Sequence, residues 1–270
     1  MRGLRRYWRI YSAFAANAVK LMMAYSVWFW VELAGQVMML IIFVYFWKAV
    51  YASNDTIGGM QAAETLSYIL VAQIVAPLVR WSLILDFGFA LREGGIAIEL
   101  TRPVDYQARW YVEWTASMVM QTLRLALPLG AVAIVFFGLH LPSDPVVWGY
   151  FIASFLIGNA VLFFFDWTFA CLAFYTTEGW GLHVLREGVA AFFSGSLLPL
   201  QMLPGWLQKI AAFMPFGQAL NAPVSILTGI TPVGEAPRII GIQLVWLVGM
   251  FVLSRSFFTV ASRKVTVQGG

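Results

Sequence analysis

The sequence predicts an all-α integral membrane protein: six transmembrane helices, an N-terminal interfacial amphipathic helix and a re-entrant helical segment before the sixth span. Three observations lead there. Of 270 residues, 61% are hydrophobic and only 11% charged, with mean hydropathy +0.78, far from the quarter or so of charged residues in a soluble domain. Six stretches reach the ~20 mostly apolar residues that a helix needs to cross hydrocarbon, roughly 25–47, 66–87, 113–138, 147–173, 184–203 and 239–259. The net charge of +4 is concentrated in a few inter-span segments. The 12 Trp, 10 Tyr and 22 Phe suit headgroup depth.

Taken in order, the N-terminal segment carries Arg2, Arg5, Arg6, Arg9 and Lys20 with no acid among them. Before a hydrophobic span, such a cluster points to anionic headgroups rather than to nucleic acid. Tyr7, Trp8, Ile10, Tyr11, Phe14, Ala15 and Ala18 recur at spacings near three and four, which predicts an interfacial helix over 4–20. A plain extension of the first span is the alternative. The stretch 25–47 exceeds the ~7–15-residue apolar core of a signal peptide and holds Glu32, so it is read as a membrane span.

An even number of spans places both termini on one side. The N-terminal segment, the 88–110 loop (Arg92, Arg102, Arg109) and the tail (Arg263, Lys264) are basic, while 48–65 and 139–146 hold Lys48 alone. By the positive-inside rule, both termini and the 88–110 loop are cytoplasmic in a plasma (inner) membrane. That loop concentrates three acids and two bases between Arg92 and Asp105, in a chain otherwise poor in charge. The connection 199–238 is too apolar for a solvated loop and too interrupted by proline for a span. Irregular backbone survives at membrane depth only under protein or beside a water cavity. A short helix over 205–213, dipping into the outer leaflet, is expected there.

Ionisable groups within spans cost ~2.5–3.5 kcal/mol at a helix centre on insertion scales, so each requires a reason. Asp86, Glu113, Arg186 and Glu187 fall near cytoplasmic ends and are expected to reach water or headgroups. Arg124 lies ~16 Å above Glu113, and Asp166 ~12 Å above the inner end of the next span, at 1.5 Å per residue. These similar depths predict an intramembrane ion pair, Arg124–Asp166. Glu32 has no evident partner, which leaves a water-filled cavity or another subunit. Gly188, Ala191, Ser194, Gly195 and Ser196 form a small-residue face on the fifth span, suited to close helix approach or to a hinge.

Catalytic signatures are absent from the sequence. It has no phosphate loop, no His-Glu-x-x-His and no cysteine pair, since Cys171 is the single cysteine. The expectation is a non-enzyme with no catalytic residue, metal ligand or cofactor of its own.

The order of parts resembles the ABC-2 type permeases, the transmembrane subunits of ATP-binding-cassette exporters. Two strings carry the resemblance beside the topology: Gly95-Ile96-Ala97-Ile98-Glu99-Leu100-Thr101-Arg102-Pro103-Val104 in the first inner loop, and Leu198-Pro199-Leu200 with Leu203-Pro204-Gly205-Trp206-Leu207 and Met214-Pro215-Phe216 near the fifth span. The resemblance implies a second permease, identical or related, and two cytoplasmic ATPase subunits holding ATP and Mg. It implies a coupling loop in which Arg92, Glu93, Glu99, Arg102 and Pro103 dock the ATPase. It implies a substrate path lined by Val75 and Leu78 on the second span and by Phe192 and Leu198 on the fifth, with hydrophobic or amphiphilic cargo. The alternative is a proton-coupled secondary transporter using Glu32, Arg124 and Asp166.

Overall fold

The computed structural model describes residues 2–24, 26–79, 83–176 and 179–264, so residue 25 of the expected first span and 80–82 of the second lie outside it. The side chains of Arg2, Arg5, Arg6 and Lys264 lie outside it as well. The elements are α1 (Arg2–Ala24), α2 (Ser26–Val50), a short hairpin of β1 (Thr56–Ile57) and β2 (Met60–Gln61), α3 (Ala62–Val79), α4 (Ile84–Arg92), α5 (Gly95–Leu100) and α6 (Tyr106–Gln121). A π-helical turn, Thr122–Ala126, joins α6 to α7 (Leu127–Phe137). Then come α8 (Pro145–Ala170), α9 (Ala173–Thr176), α10 (Gly179–Phe193), α11 (Gly205–Ala212), α12 (Pro215–Ala219), α13 (Asn221–Leu227) and α14 (Ala236–Ala261).

Five helical stretches are long and apolar enough to cross a bilayer: Trp28–Ser53, Ala62–Arg92, Tyr106–Phe137, Pro145–Thr176 and Val233–Ala261. A sixth arises if α11 and the α12–α13 unit, bent by 76° to each other, count as one crossing. The chain is a multi-pass membrane protein. The expected fifth span requires correction. The stretch 184–203 is not one helix: α10 ends at Phe193 after 15 residues, about 22 Å of rise, and 194–199 is irregular. Gly195 sits there at φ +86°, and a Cβ on it would lie 2.3 Å from the Tyr68 hydroxyl. The backbone leaves the helix where the small residues permit it.

α8 is the central element, packed along α14 and against α12, α13 and α4. α3 is buried along most of its length, from Thr65 to Val79, whereas α2 and α14 leave Trp28, Trp30, Met38, Val245 and Val248 exposed on apolar outer faces. Such faces suit lipid, which has no polar groups to satisfy. The irregular 194–200 backbone is satisfied from within the protein. The Tyr68 hydroxyl lies 3.0 Å from the Gly195 carbonyl, Gln73 donates to the Ser196 carbonyl at 2.8 Å, and the Leu200 N–H reaches Asn221 Oδ1 at 3.3 Å. Side chains of α3 and α13 thereby replace the hydrogen bonds that a helix would have made.

At the end of the bundle that carries the 88–110 connection, the core is aromatic. Phe87 meets Trp167 at 5.5 Å and Phe174 at 5.4 Å, while Trp167 meets Tyr106 at 5.7 Å and Phe258 at 5.3 Å, mostly edge-to-face. Each such pair contributes about 0.5–1.5 kcal/mol beyond its buried area. The cluster ties α4, α6, α8 and α14 together directly beneath the charged loop.

Candidate functional site

The loop is a built structure rather than a solvated tether. α4 runs to Arg92, Gly94 turns the chain at φ +70°, α5 follows, and Asp105 caps α6 by accepting the Ala108 N–H at 2.7 Å. The second carboxylate oxygen of Asp105 meets Arg255 of α14 at 2.6 Å, and Gln107 donates to Ser254 at 2.9 Å. Burial pushes the Asp105 carboxyl up. The hydrogen bonds from Arg255 and the Ala108 N–H, with the Arg255 charge, outweigh that and hold it below the usual carboxylate value.

Glu99 is half-buried and clamped between Arg109, which donates to it, and Arg102 at 3.1 Å. Arg109 also reaches Glu113 at 3.1 Å and stacks over the Phe14 ring of α1 at 5.0 Å. Arg92, Glu93, Arg102 and Pro103 are exposed. Ile98 of the same segment is 67% exposed, and Leu100 and Phe89 are exposed as well. The five loop residues singled out from the sequence therefore divide in two: Glu99 fixes α5 from inside, and the other four face outward. The apolar members of the tip were not foreseen, because isoleucine and leucine in an apolar chain carry no compositional signal.

The expected Arg124–Asp166 pair is corrected. Asp166 pairs with Arg186, its two oxygens taking Nε and Nη2 at 2.9 Å each, and Nη1 of Arg186 reaches Glu187 at 2.6 Å. Both members of the Asp166–Arg186 pair are essentially fully buried, and the guanidinium lies 5.5 Å from the Phe216 ring centroid. Helix register explains the exchange. α10 begins at Gly179, so Arg186 stands seven residues, about 10 Å, into it, close to the depth of Asp166, four residues from the end of α8. Arg124 stands 18 residues, about 27 Å, into the continuous α6–π–α7 helix, which starts at Tyr106 rather than near 113.

Arg124 instead occupies the π-helical turn. It donates to the Met22 carbonyl of α1 at 2.9 Å, lies 4.6 Å from the Phe29 ring centroid and attracts Glu32 electrostatically. Glu32, which has no evident partner in the sequence, has this one, and its side chain is exposed on α2.

A cavity of about 210 Å³ opens beside the buried pair, lined by Arg186, Glu187, Ala190, Ala191, Ser194 and Ser196, with Ala76 and Val79 from α3 and Leu162, Phe216 and Leu220 opposite. Val75 and Leu78 are buried within the chain at 4% and 6% exposure, each one residue from a lining position. Phe192 is 44% exposed on α10, and Leu198, half-buried, packs against the same apolar core that holds Val75 and Leu78.

No curated protein matches the chain. A family model described as ABC-2 family transporter protein matches residues 37–269, from the first span to the tail. That match takes in the charged loop, the broken α10 region and the bent pair alike. Members of this family are membrane subunits rather than catalytic ones, and the chain belongs to the ABC-2 family of transporter proteins.

Proposed function

We propose that the chain is the permease of an ATP-driven exporter, joined to a second permease and to separate cytoplasmic ATPase subunits that hold ATP and Mg. The observation that carries this reading is the loop tip: Ile98, Leu100 and Phe89 lie exposed in a segment that also exposes Arg92, Glu93, Arg102 and Pro103, on a base fixed by Glu99, Asp105 and the aromatic cluster. A rigid lever of this kind converts closure of a docked motor into tilting of α4 and α6, where a flexible loop would absorb it. Both termini and the loop face the cytoplasm of the inner membrane by the distribution of bases. α1 lies at the interface, and α11–α13 form a re-entrant segment between α10 and the last crossing, α14. An apolar cavity with a buried ion pair at one wall suits hydrophobic or amphiphilic cargo.

The proton-driven alternative is not favoured. Asp166 is sequestered by Arg186, and Arg124 is engaged at the α1–α2 elbow, so the three groups form no relay. The test is co-purification of a phosphate-loop ATPase with the tagged chain, followed by Ile98→Asp. With Ile98 two-thirds exposed, the variant folds normally. It loses the ATPase or its stimulation by about fivefold or more, because even a neutral polar group in an apolar docking spot costs ~1–3 kcal/mol and a carboxylate costs more. Full retention by Ile98→Asp removes the docking assignment.

A further inference from the structure

We propose that a second cavity, between α11, the α12–α13 unit and α14, binds the uncharged, hydroxyl-bearing headgroup of an amphiphile, a glycoside in chemical class. It shares no lining residue with the cavity beside Arg186. Arg255 of α14 meets the charged loop at Asp105, and Ile242 and Ile239 line the cavity 13 and 16 residues earlier on the same helix. The cavity therefore lies about 20–24 Å along α14 from the loop. It measures about 250 Å³. That is below the ~300–1,000 Å³ of pockets that enclose a whole small-molecule ligand, so it holds a headgroup and leaves the chain outside.

The wall is polar without being charged. Gln201, Gln208, Gln218 and Asn221 bring four carboxamides and Thr231 a hydroxyl, while no ionisable side chain stands among its described lining residues. Lys209 and Arg238, each next in sequence to a lining residue, are exposed outside it. Local bonds leave several of these polar groups open. Asn221 Oδ1 is held by the Tyr68 hydroxyl at 2.8 Å and the Leu200 N–H at 3.3 Å, and Nδ2 of the same amide has no partner among the described residues. The Gln218 carboxamide has none either, since the Gln243 bond goes to its main-chain carbonyl, and the Thr231 hydroxyl has none. Gln208 donates to the carbonyls of Gln201 and Leu203 at 2.9 and 2.7 Å, which uses both its donors and leaves its oxygen as an acceptor.

These open groups select the headgroup. Donors and acceptors occur together on one wall, with no charge to favour an ion. A vicinal diol answers that pattern, because each hydroxyl both donates and accepts. A polyether only accepts, and leaves the Gln208 and Gln218 oxygens unmet. An anionic or zwitterionic headgroup would leave water without a counter-charge on the wall. Ile242 lines the cavity and is 43% exposed, so one side is open to an alkyl chain.

The experiment uses the purified full chain in phosphatidylcholine nanodiscs, with displacement of radiolabelled octyl glucoside as the readout and every probe below its micelle-forming concentration. Octyl glucoside is expected to bind at least tenfold tighter than tetraethylene glycol monooctyl ether, which has the same alkyl chain and no vicinal hydroxyls. Glucose alone is expected to bind more weakly than octyl glucoside. Gln218→Leu combined with Thr231→Val keeps similar bulk, breaks no bond within the protein and reduces the glucoside preference below threefold. Absence of saturable octyl glucoside binding overturns the proposal, as does equal affinity for glucoside and ether. Glucose matching octyl glucoside overturns it too, as does a tenfold preference retained by the double variant. Should that variant fail to fold, an unchanged preference in Thr231→Val overturns it alone. No ATPase is present, so this result stands or fails apart from the exporter reading.

Discussion

Removing one side of the Asp166–Arg186 pair should be far more damaging than removing both. Each group is at most 1% exposed, so Arg186→Ala leaves a carboxylate uncompensated inside the bundle, and Asp166→Ala leaves a guanidinium held by Glu187 alone. Breaking a buried pair from one side costs about 3–5 kcal/mol. Arg186→Ala belongs at the upper end, since Asp166 has no other cation in contact among the described residues. Asp166→Ala belongs at the lower end, because Glu187 still holds Nη1 at 2.6 Å. Glu187→Ala, with a third of its side chain exposed, should cost no more than about 1 kcal/mol. The double variant Asp166→Leu/Arg186→Met replaces both charges with apolar groups of similar bulk and should fall within about 1 kcal/mol of wild type, or above it. Reversible unfolding in mixed detergent–SDS micelles, followed by tryptophan fluorescence, gives the four free energies relative to wild type. A double variant as unstable as the sum of the single losses would show that the pair is not the unit of stability argued here. A cost below 1 kcal/mol for Arg186→Ala would show the same.

Two further predictions concern elements that position the loop and the core. The Asp105 carboxyl is held below its usual value, so its stabilising effect is fully present above the unfolded value of about 3.9 and is lost as pH falls through the folded one. Amide protection at 106–109, corrected for intrinsic exchange, should therefore hold above about pH 4 and drop as pH falls below it. Asp105→Asn keeps the cap but removes the titrating charge and should flatten that dependence; an unchanged pH profile would exclude Asp105 as its source. In the core, a Cβ on Gly158 of α8 would lie 2.2 Å from the Gln218 carbonyl, a backbone atom that cannot rotate away. Gly158→Ala should cost at least about 1–3 kcal/mol. Gly149→Ala on the same helix meets nothing within 4 Å and should be neutral or stabilising by up to about 1 kcal/mol. The same unfolding assay compares them, and equal effects would remove close α8–α12 contact as the cause.

What the sequence discloses about this molecule follows from what hydropathy can and cannot encode. Four of the six expected spans overlap continuous helices closely, because a run of apolar residues with few charges has few other solutions in a bilayer. The second is less direct, since 80–82 lie outside the described residues, and the fifth failed for a definite reason. Ser194 to Leu198 is apolar enough to extend α10, yet Tyr68, Gln73 and Asn221, distant in sequence, supply the bonds that allow the backbone to stop there. Only tertiary structure brings them together. The ion-pair error has the same origin: composition locates a charge within a helix to a few residues, and a shift of seven residues in the start of α6 moves Arg124 about 10 Å from the depth assigned to it. The loop was legible because its signal is contrast, three acids and two bases in a chain with 11% charged residues. Contrast also explains what was missed. Ile98 and Leu100 at the tip, like Ile242 at the second cavity, are ordinary in this composition and become informative only through exposure or through the polar groups beside them. In a chain this apolar, function is written in the few polar residues, but its partners are chosen by the apolar ones left uncovered next to them.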